Sequence, residues 1–179
     1  GVAEQAERFG TIAAEYGSRG FLWARAPEDR KRLWKMRHDA YRAILASRPG
    51  ATAIVTDVCV PISALAEAVE DTRDDIATSD IPGPILGHVG DGNFHAILLI
   101  NPADPREAAT AKTLATRMAE RALRLGGTIT GEHGVGFGKL PLMAAEHGAA
   151  WAIMGHIKRA LDPHDLMNPG RLVPQPKVP

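Results

Sequence analysis

The feature that most constrains how this chain can fold is a glycine-rich turn set between two apolar runs. It lies in the sequence GHVGDGNFHAILLI, residues 87–100. Glycine and asparagine tolerate positive φ angles and aspartate bonds to its own backbone, so this composition is typical of a tight turn. If residues 90–93 form a hairpin loop, His88 lies directly opposite His95 on one face of an antiparallel pair. Two such imidazoles beside a buried strand predict half of a metal site. The alternative is two polar residues flanking a surface turn.

The rest of the chain alternates helical and strand-like patterns. The spacing of apolar residues predicts helices at 3–16, 27–46, 64–76, 106–125 and about 140–161. Short strands are predicted at 20–24, 51–61 and 128–130, the second of them as a central strand. Ser63 is a suitable N-cap for the third helix. Hairpins and helices without a regular βαβ repeat favour an α+β fold, an antiparallel sheet with helices packed on one face.

Composition excludes several classes of function. The chain has 179 residues, enough for one domain with a substantial core. Lys plus Arg number 21, as do Asp plus Glu, and no basic stripe is present, so we expect no nucleic-acid partner. The single cysteine, Cys59, excludes an internal disulfide, fits a reducing compartment and lies in an apolar run typical of the core. No apolar run approaches the length of a membrane span.

A second glycine-rich turn, GEHGVGFGK at residues 131–139, follows the strand predicted at 128–130. Divalent ions such as zinc accept imidazole nitrogen and carboxylate oxygen together, and a catalytic site keeps one position open. The two histidines of the first turn and Glu132 therefore form a predicted ligand set. His133 points in a different direction from its neighbour and can serve as a general base in the same pocket. The alternative is that both are solvated loop residues.

Other motifs for catalysis or binding are weaker. Residues 134–140 resemble a phosphate loop only superficially, because His133 replaces its first glycine and Leu140 its Ser or Thr. No dinucleotide fingerprint and no nucleophile elbow is present. Arg37 lies on an otherwise apolar helix face, where it is either a clamp for a carboxylate or a surface arginine whose stem covers the core.

Five motifs follow one another along the chain: LWKMRH at 33–38, TDVCVP at 56–61, GHVGDGNFH at 87–95, TGEHGVG at 130–136 and LMNPG at 166–170. In this order they resemble the C-terminal domain of the FAD-linked oxidases. The likeness is greatest to the branch of D-lactate dehydrogenase (cytochrome), glycolate oxidase and D-2-hydroxyglutarate dehydrogenase. It covers nearly the whole chain.

The resemblance implies a ferredoxin-like α+β cap domain over FAD, with the flavin held mainly by a separate N-terminal domain. It implies that His88, His95 and Glu132 bind a divalent metal, zinc or manganese. The reaction is the oxidation of a small 2-hydroxy acid to a 2-oxo acid by hydride transfer to the flavin.

The resemblance also implies roles for three further residues. His133 is the base that takes the hydroxyl proton, Arg37 engages the substrate carboxylate, and Asn168 lies near the flavin, although its Asn-Pro-Gly sequence by itself reads as an ordinary turn. Ala96 and Ile97 follow the second histidine of the first turn where a polar residue would serve a dicarboxylate. This favours a small monocarboxylic substrate such as lactate.

We expect residues 1–173 to form the cap domain with a C-terminal helical extension, and 174–179 to form a disordered proline-rich tail. The flavin-binding domain is the expected partner, and without it the chain is expected to be inactive; a homodimer stays open. Expected locations are the bacterial cytoplasm, including the periphery of the inner membrane, or the mitochondrion of a eukaryote. Two alternatives remain: an independent metal-dependent hydrolase and a non-catalytic domain for subunit association.

Overall fold

The structure, a computed structural model, describes residues 1–173 and divides the chain into two compact units, Gly1–Ser47 and Arg48–Pro179. The tail predicted at 174–179 lies outside the described residues. Among the helices of the described chain, none combines the length and the apolar character of a membrane span.

The first unit consists of two helices, α1 at Val2–Glu15 and α2 at Pro27–Ala46, close to their predicted ends. The strand predicted at 20–24 is wrong, because these residues form no strand in the described chain. Phe21 packs instead against Phe9 of α1, with ring centroids 5.3 Å apart. An aromatic contact, rather than a strand ladder, therefore holds this connection.

The second unit contains the sheet and confirms the predicted α+β class. Its strands are β1 at Thr52–Val55, β2 at Val58–Cys59, β3 at Ile85–His88 and β4 at Asn93–Ile100. Its helices are α3 at Leu65–Ala77, α4 at Pro105–Arg124, α5 at Met143–His147 and α6 at Ala150–Leu161. Short 3-10 helices at Ile62–Ala64 and Leu140–Leu142 precede α3 and α5.

Strand β4 is the centre of the sheet, and all 8 of its residues are buried. It pairs antiparallel with β1 and β2 on one side and with β3 on the other. The prediction of a central strand at 51–61 is therefore wrong, since that run forms two short flanking strands. The strand predicted at 128–130 is reduced to one bridge, between Thr128 and Cys59.

The break between β1 and β2 interrupts the hydrogen bonds but not the register. Val55 lies opposite Ile97 and Val58 opposite Phe94, so the residues between them remain aligned with β4. At the break the N–H of Ala96 donates to the hydroxyl of Thr56, at 2.7 Å. A side-chain oxygen thus replaces a backbone acceptor, and the carbonyl of that threonine accepts from a different donor.

One face of β4 packs against helices α3 and α4 and forms the core. Its buried side chains on this face are Phe94, Ala96, Leu98 and Ile100, and the helices contribute Leu65, Ala68, Ala111, Leu114, Met118 and Ala122. The buried guanidinium of Arg121 in α4 joins the two helices through Asp71 and Asp75 of α3, at 3.1 and 2.6 Å. Alternate residues of β4, Asn93 and His95 among them, point to the opposite face.

Two helix predictions need correction. Ser63 lies inside the 3-10 helix, and α3 begins after Ala64 without a side-chain cap. The helical region predicted at about 140–161 is divided, because Gly148 adopts a positive φ of 51° between α5 and α6. A residue with positive φ cannot continue the right-handed α-helix, so the hydrogen-bond pattern ends there.

The segment after α6 is anchored by the buried carboxylate of Asp162. It accepts hydrogen bonds from the backbone N–H groups of Leu166 and Met167, at 2.9 and 2.7 Å, and from the ammonium of Lys158. The ammonium, followed by these two N–H groups, lowers the pKa of the Asp162 carboxyl to about 2. This anchor fixes the turn that leads to Asn168.

The Asp162→Asn variant should be less stable than the wild type at pH 7, because it loses an ionised acceptor. The folded-state pKa is below the unfolded one, so the carboxylate stabilises the fold above about pH 4, and this contribution disappears as the pH falls toward 2. Urea unfolding between pH 7 and pH 3 measures the difference in the free energy of unfolding between the two proteins. This difference should become smaller in acid. A difference in unfolding free energy that stayed constant or grew in acid would contradict the stabilising role of the ionised Asp162 carboxylate. Asp74→Asn is the control, because the Asp74 side chain is 72% exposed, and it should change the free energy of unfolding little.

Candidate metal centre

The β3–β4 hairpin places two histidines on the same face of the sheet. His88 lies opposite Asn93, and Leu86 lies opposite His95, so the predicted direct pairing of the histidines is wrong by two residues. An even shift keeps the side chains on the same face. The loop is 89–92 because Asn93 enters the strand, where its side-chain amide donates to Asp57 at 3.0 Å.

Glu132 approaches these histidines from the second glycine-rich turn. Its Oε1 lies 3.4 Å from Nε2 of His88 and 3.0 Å from Nε2 of His95. The imidazole rings are nearly perpendicular, at 85°, with centroids 5.8 Å apart. One ligand atom from each of the three residues lies within 4.8 Å of the others. The structure thus brings together the three predicted ligands.

The orientation of His95 is set by the break in the sheet. Its Nδ1 lies 2.9 Å from the backbone carbonyl of Thr56, and a carbonyl can only accept a hydrogen bond. Nδ1 therefore carries a proton, and in the neutral ring the lone pair is on Nε2. That lone pair faces the carboxylate oxygen of Glu132. Two such atoms repel each other unless a proton or a cation lies between them.

The donor set fits a divalent metal ion. Two imidazole nitrogens and a carboxylate oxygen are the ligands that zinc accepts, and a catalytic site leaves a position for substrate. Asn93, on the same face, is 6% exposed, and its Oδ1 is buried without a hydrogen-bond partner among the described residues. An unsatisfied buried acceptor is a place where a water or an ion can bind.

His133 completes the cluster from the solvent side. Its side chain is 60% exposed, and its Nε2 lies 3.6 Å from Oε1 of Glu132. Its ring centroid is 5.3 Å from that of His95. A substrate held at the ligand cluster can therefore reach this imidazole, as a general base requires.

The other two predicted residues lie elsewhere in the chain. Arg37 belongs to α2 in the first unit, with its guanidinium carbon 5.3 Å from the centroid of the Trp34 ring. Asn168 lies in the segment after α6 with a positive φ of 46°. Their roles toward substrate carboxylate and flavin stay predictions.

Asp57 is the residue that the sequence reasoning missed. Its side chain is 2% exposed, although the β-branched run around it predicts a strand and assigns this carboxylate no role. Burial raises its pKa, but hydrogen bonds from the N–H of His133, the amide of Asn93 and the N–H of Glu132 outweigh burial and hold the pKa well below its usual range. The signal in the sequence is a carboxylate in an apolar run, because a buried charge requires partners.

Lys139 closes the same loop from its far end. Its ammonium lies 2.9 Å from the carbonyl of Asp57 and 3.3 Å from its carboxylate. Burial lowers the pKa of Lys139, and the neighbouring carboxylate partly offsets that effect. The second glycine-rich turn is thus held at both ends by one residue of the sheet.

Sequence comparison shows the family to which the chain belongs. Residues 2–172 match the family described as FAD linked oxidases, C-terminal domain. The chain belongs to this family. It is 46% identical over 173 residues to the probable mitochondrial D-lactate dehydrogenase of Danio rerio. It is 41% identical over 172 residues to the mitochondrial D-lactate dehydrogenase [cytochrome] of Arabidopsis thaliana, and 31% identical over 174 to the glycolate oxidase subunit GlcD of Escherichia coli K12.

The match extends over most of the chain but only part of each relative. The matches to the Danio rerio, Arabidopsis thaliana and Escherichia coli proteins cover 96%, 96% and 97% of the chain. They cover 35%, 30% and 34% of those three proteins, in the same order. The chain therefore spans about a third of the length of these three relatives.

Gly131→Ala should disturb the site, because a Cβ there would lie 1.7 Å from Nδ2 of Asn93 and 2.9 Å from Oδ1 of Asp57. Overpacking of this kind costs about 1–3 kcal/mol in the free energy of unfolding, measured by urea denaturation. Gly138→Ala is the matched control in the same turn, since nothing lies within 4 Å of its Cβ and its φ is not positive. Equal stability of the two variants would contradict this packing.

Proposed function

We propose that this chain is the metal- and substrate-binding domain of an FAD-dependent D-2-hydroxy acid dehydrogenase of the D-lactate or glycolate type. The observation that carries the proposal is the convergence of His88, His95 and Glu132, with Oε1 of Glu132 3.0 Å from Nε2 of His95. A divalent cation, zinc or manganese, bound between these atoms would join all three residues. Family membership supports the oxidoreductase over the alternatives of a hydrolase or an association domain.

The residues of this chain bind the hydroxy acid and move one proton. A bound divalent ion would supply a Lewis acid for the hydroxyl and carboxylate of the substrate, and bound FAD would accept the hydride. His133 takes the hydroxyl proton on Nε2, its nitrogen near the ligand cluster. Loss of that proton and of the α-hydrogen as hydride converts the hydroxy acid to a 2-oxo acid. Arg37 is the proposed partner of the substrate carboxylate, and Asn168 is proposed to lie near the flavin.

The sequence next to His95 supports a small monocarboxylic substrate. Ile97 lies two residues further along β4 and therefore on the same face, whereas Ala96 faces the core, and both are buried. An apolar side chain beside the ligands offers no hydrogen bond to a second carboxylate. D-Lactate and glycolate fit this environment better than a dicarboxylate does.

The flavin-binding domain is the proposed partner, because the relatives are about three times as long as the matched region. We propose that the isolated chain binds metal but does not oxidise hydroxy acids. The mitochondrial D-lactate dehydrogenases of Danio rerio and Arabidopsis thaliana support a mitochondrial location if the source is a eukaryote. A bacterial protein of this type is proposed to be cytoplasmic.

The isolated chain should bind about one divalent ion, since its three ligands form a single site. Titration calorimetry with Mn²⁺ or Zn²⁺ measures the stoichiometry and the affinity. His88→Ala and Glu132→Ala should each abolish binding at micromolar metal, because two remaining ligands hold the ion weakly. His156→Ala, on α6, is the control and should bind like the wild type. Undiminished binding by both ligand variants would show that the assignment is wrong.

His133→Asn should impair catalysis without impairing metal binding. In the full-length, flavin-loaded protein we expect kcat for D-lactate to fall by about 10²–10⁴, the usual worth of a general base. Dye-coupled oxidation of D-lactate and glycolate measures kcat, and metal analysis measures occupancy. Full activity of His133→Asn would exclude this role. If the loaded wild type oxidised neither acid, the substrate class would be wrong.

A further inference from the structure

We propose that Asp57 is a positioning residue for the metal centre: its buried carboxylate holds the loop-borne Glu132 and His133 in place beside the strand-borne His95. The proposal rests on the proposed function, because it concerns the same ligands. Asp57 acts through these residues and touches neither metal nor substrate.

The carboxylate binds the second glycine-rich turn through its backbone. Oδ2 of Asp57 accepts from the N–H of His133 at 2.9 Å and from the N–H of Glu132 at 3.1 Å. It also accepts from the hydroxyl of Thr130 at 3.1 Å. Two successive N–H groups directed at one oxygen fix the path of the backbone, and with it the direction in which the ligand and the base leave the loop.

The same carboxylate is connected to the sheet side of the centre. Oδ1 of Asp57 accepts from the amide of Asn93 at 3.0 Å and lies 3.9 Å from Nδ1 of His95. The register of β1 and β2 with β4 places Asp57 directly opposite His95. One side chain therefore contacts both β4, which carries His95, and the turn that carries Glu132.

An ionised carboxylate is required at this position by the number of donors. Both oxygens accept, and Asn93, Thr130, Glu132, His133 and Lys139 all donate. An asparagine offers a single acceptor oxygen, and its NH₂ group would face donors. The position is buried, so solvent cannot replace the lost hydrogen bonds. Because these oxygens are already occupied, the carboxylate has little capacity to bind the metal itself.

Removal of a group that orients metal ligands usually weakens metal binding by about 10–100-fold. Asp57→Asn should therefore bind Co²⁺ about 10–100-fold more weakly than the wild-type chain. Its visible d–d absorption should also change, because a displaced Glu132 alters the coordination of the ion. A loss of stability alone would not change the spectrum of the metal-bound protein. Titration with Co²⁺, monitored by absorption, gives both readings, and circular dichroism checks that each variant is folded.

Glu107→Gln is a matched control, since it also removes a carboxylate that is mostly shielded from solvent. Glu107 pairs with Arg48 at 2.7 Å, and its side chain is 17% exposed. This variant should bind Co²⁺ with wild-type affinity and spectrum. Asp57→Asn with the same affinity and spectrum would overturn the positioning role. A wild-type chain that bound no Co²⁺ would overturn the metal assignment itself, which is a different failure.

If Asp57→Asn does not fold, Thr130→Val tests the same proposal, with a smaller expected loss of Co²⁺ affinity. This variant removes a hydroxyl that lies 3.1 Å from the carboxylate and 3.0 Å from the carbonyl of Gly134, and it keeps the shape of the side chain. Weaker Co²⁺ binding by about two- to tenfold, the usual worth of one hydrogen bond, supports the proposal. Unchanged binding by a folded Thr130→Val overturns it.

Discussion

The carboxylate of Asp57, buried at the break between β1 and β2, is the interaction on which the candidate site depends. The backbone of Glu132 and His133 donates to it, as do Asn93 and Lys139. Without this acceptor, several donors would be left buried or would turn toward solvent, and the second glycine-rich turn would lose its connection to the sheet. The candidate ligand from the loop lies beside those from the hairpin because one charged group binds both the loop and β4.

The break in the sheet serves the site because it leaves the register intact. At Thr56 the hydroxyl accepts the N–H of Ala96, and the backbone carbonyl accepts from His95 instead. A continuous ladder would engage that carbonyl, and the imidazole would lose the partner that sets its tautomer. An outer hydrogen bond of this kind orients a metal ligand and raises its basicity. Two adjacent residues, Thr56 and Asp57, thus support candidate ligands from two different elements.

Local patterns predicted a large part of this arrangement. Helices α2 and α4 follow from apolar spacing and clear ends, and the two glycine-rich turns with their histidines and carboxylate follow from residue types alone. The pairing of strands does not follow from such patterns. The run at 51–61 has the composition of a central strand, but the fully buried β4 takes that place, because a helix-covered core face and the ligand face are both buried there.

The hairpin register and the role of Asp57 could not be predicted for a related reason. Whether Asn93 belongs to the turn or to the strand depends on its hydrogen bond to Asp57, which is 36 residues away in sequence. Asp57 in turn is explained by donors that include Glu132 and His133, more than 70 residues further along. Long-range polar contacts of this kind decide details that local propensity leaves open.

The position of a bound metal ion tests the central claim most directly. Crystals of the chain grown with Zn²⁺ and measured at the zinc absorption edge would locate the ion by anomalous scattering. The account predicts one strong peak about 2.0–2.2 Å from Nε2 of His88, Nε2 of His95 and a carboxylate oxygen of Glu132. A peak held by other residues, or no peak at this cluster in crystals that contain zinc, would contradict it.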